Sequence, residues 1–203
     1  MKILFQGDSI TDAKRDRTNI HDLGQGYPLY AAGYMRELYP DMEFEFIDLA
    51  YSGNHTLDLV NRLERDFIDI DPDIVSILIG INDVWTSYKH TYPIIPDAVF
   101  EERYRTVLSA IKERTHAKIL ILEPFLGPVE DKKLMRWDLD NKIQIVRKLA
   151  REYADLYIPT DGLLAQAYIH EDFLKFAEDG VHPTPYGAEF IGRIYAKEIG
   201  KLL

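Results

Sequence analysis

The chain of 203 residues contains no cysteine, which excludes disulfides, thiolate nucleophiles and Cys-ligated zinc. It also lacks any apolar stretch approaching the length of a membrane span. Ahead of Gln6 the only apolar run is Ile3-Leu4-Phe5, far short of the core of a signal peptide. Positive charge is scarce: 24 Lys and Arg against 34 Asp and Glu leave a formal charge of −10. The field of such a surface repels polyanions, so neither nucleic acid nor an anionic membrane is expected as a partner, while neutral substrates stay open. Repeats, low-complexity linkers and metal spacings such as His-Glu-x-x-His are missing too, so no metal site is expected. These absences describe a soluble protein, expected in the cytoplasm, because a chain without cysteine sits slightly better in a reducing compartment.

What is present suits a single domain spanning residues 1–203. With 46% hydrophobic and 29% charged residues, the chain can bury a substantial core without covalent staples. Short apolar runs predict strands at Lys2–Gln6, Glu43–Ala50, Asp73–Ile79, Lys118–Glu123 and Leu156–Pro159. Helical periodicity between them predicts helices at Tyr27–Tyr39, Thr56–Ile68, Asp97–Thr115, Leu134–Tyr153 and Pro185–Leu202. Alternation of this kind requires right-handed crossovers, and so implies the α/β class: a three-layer α/β/α sandwich on a central, mostly parallel five-stranded sheet. Ligands of such folds bind outside the carboxyl ends of strands, which directs attention to the loops there.

The loop after the first strand reads Gly7-Asp8-Ser9-Ile10-Thr11. Ser9 in this place is a turn residue, a helix N-cap or a nucleophile, and it does not separate these alone. The next loop, Tyr51-Ser52-Gly53-Asn54-His55-Thr56, offers a glycine N–H suited to an oxyanion or simply to a turn, with Asn54 as a plausible N-cap. The third follows a very apolar strand with Gly80-Ile81-Asn82-Asp83. A buried amide and carboxylate there must find partners; Asn82 can donate to an oxyanion, and Asp83 is read as a support of the loop. Near the C-terminus, Asp179 and His182 stand three apart in a tight turn bounded by Gly180 and Pro183, a spacing that lets one side chain orient the other. His21, His55, His90, His116 and His170 are read as surface or satisfied loop residues.

Together the four segments resemble the blocks of the SGNH hydrolases, also called GDSL esterases: Gly7-Asp8-Ser9, Gly53 within Ser52-Gly53-Asn54, Asn82 within Gly80-Ile81-Asn82-Asp83, and Asp179 with His182. The resemblance implies a flavodoxin-like SGNH hydrolase fold. It also implies Ser9 as nucleophile, His182 as general base and then acid, and Asp179 as the residue orienting His182. The backbone N–H groups of Ser9 and Gly53, with the Asn82 amide, would form the oxyanion hole, and Gly7 and Asp8 would shape the turn. The implied chemistry is two-step acyl transfer, which needs no metal or organic cofactor.

The wider stretches "GDSITD", "LGQGY", "SGNHTLDL", "IGINDVW" and "DGVHPTPYG" look most like the acetylxylan-esterase type, which removes acetyl groups from sugars. The expected substrate is thus a small-molecule or oligosaccharide ester, such as an O-acetylated xylo-oligosaccharide. Asp8, Trp85, Tyr88 and Tyr92 are candidate substrate contacts; the three aromatics, in the expected loop Val84–Pro96, either form a platform for a sugar face or anchor that loop. The charged segment Ala13–Gln25 is expected to be exposed and to border the entrance or an oligomer contact, since that type often assembles into homo-oligomers. A lysophospholipase or thioesterase of the same fold, and a catalytically inactive carbohydrate-binding protein, are the alternatives.

Overall fold

The computed structural model describes residues 1–89 and 93–203. Five strands, β1 (Lys2–Gly7), β2 (Glu45–Asp48), β3 (Ile74–Leu78), β4 (Lys118–Leu122) and β5 (Leu156–Ile158), form one sheet in the order β2-β1-β3-β4-β5. Every neighbouring pair is parallel. Parallel strands covered on both faces read as nearly continuous apolar runs, as Ile74–Leu78 and Lys118–Leu122 do. Alternate residues then serve opposite layers. Ile3, Phe5, Leu78, Leu120 and Leu122 pack toward α2 (Tyr27–Leu38) and α8 (Pro185–Glu198). Leu4, Val75, Ile77, Ile119 and Ile121 pack toward α3 (Thr56–Asn61) and α5 (Asp97–Arg114), and α6 (Lys133–Tyr153) lends residues to both cores. The resulting α/β/α sandwich matches the expected class. None of the described helices is long and apolar enough to cross a membrane.

Several boundaries differ from expectation. The strand predicted from Glu43 to Ala50 ends at Asp48, whose carboxylate takes the Ala50 N–H at 2.8 Å and turns the chain out of the sheet. The helix predicted from Thr56 to Ile68 stops at Asn61 and continues as a wide turn over Glu64–Ile68. Three short helices escape the pattern: α1 (Ser9–Asp12), α4 (Ile81–Tyr88) and α7 (Thr160–Tyr168). Helix α4 occupies part of the span expected as the Val84–Pro96 loop.

Strand order reverses at β1, which has β2 on one side and β3 on the other, so the loops leaving β1 and β3 open onto a common crevice. The α2/α8 pair buttresses β1 on its far side. Gly192 of α8 lies so close to α2 that an added Cβ would stand 2.6 Å from the Tyr30 Cβ and 2.8 Å from the Ala31 nitrogen. Backbone cannot yield as a flexible side chain can, so Gly192→Ala should destabilise the protein by about 1–3 kcal/mol. A lower urea midpoint at unchanged slope would register this loss.

Candidate active site

Strand β1 delivers its last residue, Gly7, into a space where a Cβ would stand 2.4 Å from the Leu78 carbonyl oxygen. Asp8 follows as the N-cap of α1, its Oδ1 accepting the Ile10 N–H at 3.0 Å. This cap makes Ser9 the first residue of a one-turn helix, at the carboxyl edge of the sheet. Asp8 is wholly buried beneath it and reaches no open surface. Burial pushes its carboxyl up to about 7, with the Ile10 bond and the nearby His182 working against the rise.

The Ser9 hydroxyl lies 2.9 Å from Nε2 of His182, and His182 Nδ1 lies 2.7 Å from Oδ2 of Asp179. A carboxylate only accepts, so Nδ1 carries the proton and Nε2 presents its lone pair to the serine. Asp179 also caps its own turn: Oδ1 accepts the N–H of Val181 at 2.9 Å and of His182 at 2.7 Å. Burial alone would raise its carboxyl; the His182 ring and the two backbone donors outweigh burial and hold it well below the usual carboxylate range. Two segments far apart in sequence thus make a continuous chain of hydrogen bonds from hydroxyl to carboxylate.

Beside Ser9, the loop after β2 and the start of α4 face each other. Gly53 has φ +87°, with nothing within 4 Å of the position a Cβ would take, so its backbone is open to the crevice. The Asn82 amide donates one hydrogen to the Asn54 carbonyl at 3.0 Å. An amide nitrogen carries two, so a second donor remains for a ligand. Asp83 is buried and holds the same loop from below, accepting from the Thr56 N–H at 3.1 Å and the Thr56 hydroxyl at 2.6 Å. It therefore supports the loop, as read from the sequence. His55, not Asn54, caps α3, while the Asn54 side chain is held by Arg62.

Two recesses meet at the Ser9–His182 pair. One, of about 370 Å³, is lined by Gly53, Asn82, Trp85, Thr86 and Lys89. The other, of about 460 Å³, is lined by Ile10, Ala13, Lys14, Gln25, Gly26 and Pro183. A larger hollow of about 650 Å³ lies between the Phe125–Glu130 stretch and α7, but it contains neither Ser9 nor His182. Ser9 and His182 line both of the smaller recesses.

Of the aromatic candidates, Trp85 borders the first recess, its ring 5.4 Å from the His182 ring, with the Lys89 ammonium 3.9 Å above the indole. Tyr88 points elsewhere: its hydroxyl donates to the Leu134 carbonyl at 2.6 Å and ties α4 to α6, which is the anchoring alternative. Tyr92 lies outside the described residues. The segment Ala13–Gln25 borders the second recess through Ala13, Lys14 and Gln25. Arg15 within it is buried, contrary to expectation, because the Asp48 carboxylate and the Ala50 carbonyl draw its guanidinium inward. Sequence reasoning missed Asp12, Ser52, Thr86 and Lys89; only Asp12 left a signal, as a second acidic residue in "GDSITD". Among the described residues, no group of three or more His, Asp or Glu side chains is placed to hold a metal ion.

The model of the GDSL-like lipase/acylhydrolase family matches residues 5–190. An acetylxylan esterase of Geobacillus stearothermophilus is 32% identical over 98% of this chain and 94% of its own length. The crystal structure of that esterase superposes with a TM-score of 0.90 over 98% of this chain and 94% of the other, again at 32% identity. Forms of it with a serine or a histidine replaced by alanine, both described as catalytic mutants, match at 31% identity, over 98% and 94% of the two chains, with TM-scores of 0.90 and 0.88. An α/β hydrolase from the metagenome of Lake Arreo shares the fold, with a TM-score of 0.90 at 24% identity over 100% of this chain and 96% of that one.

Replacing Asp179 by Asn would leave a neutral group that no longer favours the proton on Nδ1. Turnover should fall on the order of a thousandfold or more while the melting temperature barely moves, measured by steady-state kinetics beside calorimetry. Asp8 generates a different expectation. With a folded value near 7 against 3.8 unfolded, it takes up a proton on folding between those values, so its contribution declines as pH rises from about 4 to 7. Asp8→Asn, which keeps the cap, should flatten the pH dependence of stability over that window in denaturant titrations.

Proposed function

The chain belongs to the GDSL-like lipase/acylhydrolase family and is a carboxylic ester hydrolase, and from that premise we propose that it removes acetyl groups from carbohydrate through an acyl-enzyme on Ser9. The observation that carries this reading is the relay itself: Ser9 hydroxyl, His182 ring and Asp179 carboxylate in line at 2.9 and 2.7 Å, beside a recess lined by Gly53 and Asn82.

In the first half-reaction the Ser9 oxygen attacks the ester carbonyl carbon as Nε2 of His182 takes its proton. The negative charge that develops on the carbonyl oxygen is met by the N–H groups of Ser9 and Gly53 and the free hydrogen of the Asn82 amide. Losing one such donor typically costs about 3–4 kcal/mol of transition-state stabilisation. Asp179 steadies the imidazolium, which then returns the proton to the departing alcohol oxygen. Water enters, gives its proton to His182, attacks the acyl carbon and releases the acid, restoring the Ser9 hydroxyl.

Acetyl as the acyl group is supported by the kinship to the Geobacillus acetylxylan esterase across nearly the whole of both chains. A xylo-oligosaccharide bound in the recess lined by Gly53 and Asn82 would meet the Trp85 ring together with the Lys89 ammonium standing over it.

Aryl acetate should be hydrolysed, with kcat/KM falling steeply as the acyl chain lengthens, and acetate should be released from acetylated xylo-oligosaccharides. Rising activity with chain length would favour the lysophospholipase or thioesterase alternative. Ser9→Ala should fold normally and lose nearly all turnover, because only binding and oxyanion contacts remain. Equal activity of the two proteins would refute the assignment.

A further inference from the structure

The nucleophile and one oxyanion donor sit on different segments, so something must fix the distance between them. Ser9 and Asp12 are the first and last residues of the single turn α1. The Asp12 side chain is 1% exposed, and its Oδ2 accepts the Ser52 N–H at 2.8 Å, the Ser52 hydroxyl at 2.5 Å and the Arg17 guanidinium at 2.5 Å. Ser52 immediately precedes Gly53. We propose that Asp12 is a positioning residue for acyl transfer: its carboxylate ties the helix turn that carries Ser9 to the loop that carries Gly53, and so sets the spacing between nucleophile and oxyanion donor. This deepens the esterase reading and rests on it.

The backbone ties the loop to the end of β1 one residue earlier, where the Tyr51 N–H donates to the Gly7 carbonyl at 3.3 Å, and at Ser52 and Gly53 the added hold comes from Asp12. Ser52 and Gly53 are both exposed, and Gly53 has no side chain to pack. Beyond Gly53 the Asn82 amide holds the Asn54 carbonyl and Asp83 holds Thr56, both attached to α4. On the near side the attachment to the nucleophile's own helix turn runs through Asp12. Because α1 is only one turn long, Ser9 and Asp12 move as a unit, and the path from Ser9 through Asp12 and Ser52 to Gly53 has almost no slack. A buried carboxylate is an expensive way to gain stability, since apolar replacements of such ion pairs are often neutral or better. Three convergent donors on one oxygen make sense as a device for placement.

The test uses Asp12→Asn, Ser52→Ala and their combination in the full chain, with aryl acetate as substrate and an aryl boronic acid as probe. The Ser9 hydroxyl adds to trigonal boron and passes its proton to His182, leaving a tetrahedral boronate with an oxygen in the oxyanion site. If Asp12 sets the spacing, Asp12→Asn lowers kcat about ten- to a hundredfold while KM stays within about twofold, and boronate affinity falls in step. The double variant should be no worse than Asp12→Asn, because both changes cut the same link. A folded Asp12→Asn protein with kcat within about twofold of the parent, or with unaltered boronate affinity, overturns the inference; so does a double variant whose losses multiply. Should Asp12→Asn fail to fold, Ser52→Ala decides: severalfold losses of both kcat and boronate affinity support the link, and retention of both removes it. Turnover that does not depend on Ser9 sinks the esterase reading instead, whereas a Ser9-dependent enzyme indifferent to these changes sinks this inference alone.

Discussion

The parallel pairing of β1 with β3 governs what the molecule can do at its carboxyl edge. Gly7 is in register with Leu78, so the chain leaves both strands at the same height. Ser9 follows Gly7 by one turn residue, and Asn82 follows Leu78 at the start of α4, which places a hydroxyl and an amide on one rim. The loop after β2 closes the same rim from the other side of β1, because β2 also pairs with β1 in parallel. A slip of one residue in either ladder would turn every strand side chain to the opposite layer, and the two buried cores forbid it. Hydrophobic packing remote from the crevice thereby controls where polar groups emerge within it.

Four aspartates around that rim show how one side chain serves different ends through its surroundings. Asp8 is walled off beneath the turn and is driven toward its neutral form by burial. Asp83 is pushed in the same direction by burial, against the Thr56 bonds that it accepts. Asp12 is opposed by burial yet kept charged by Arg17 and Ser52, and Asp179 is kept charged by His182 and its own turn. Asp12 and Asp179 each accept from a cationic or ionisable side chain, Arg17 or His182, whereas Asp8 and Asp83 accept from neutral Ile10 and Thr56, and burial then prevails.

The fold class and the relay were legible because their signals are local in sequence or fixed in type: alternating strand and helix periods, a Gly-Asp-Ser turn, and an Asp three residues before a His. The adjacency of Ser9 and His182, 173 positions apart, follows only once strand order is known. Helix α1 was invisible because four residues carry no periodicity, and it exists through the Asp8 cap and its tertiary contacts. Helix α4 reads as a loop because Asn82, Asp83, Thr86 and Ser87 interrupt its apolar stripe; their side chains bond the Asn54 carbonyl, Thr56, His55 and the Pro93 carbonyl, partners that the helix's own sequence does not announce. Arg15 read as exposed from its charged neighbours, and only Asp48 on the adjacent strand accounts for its burial. The tie between Asp12 and Ser52 spans 40 positions and leaves no mark in either segment alone.

Asp179 and His182 both sit on one short stretch directly ahead of α8. The imidazole is therefore already aligned by its own segment, whatever the helix turn that carries Ser9 is doing. A displacement between these two parts would open the gap between hydroxyl and imidazole while leaving the imidazole–carboxylate contact whole. The contact that depends on how the two pieces are placed is thus the Ser9–His182 hydrogen bond, whereas the His182–Asp179 bond is closed within one piece.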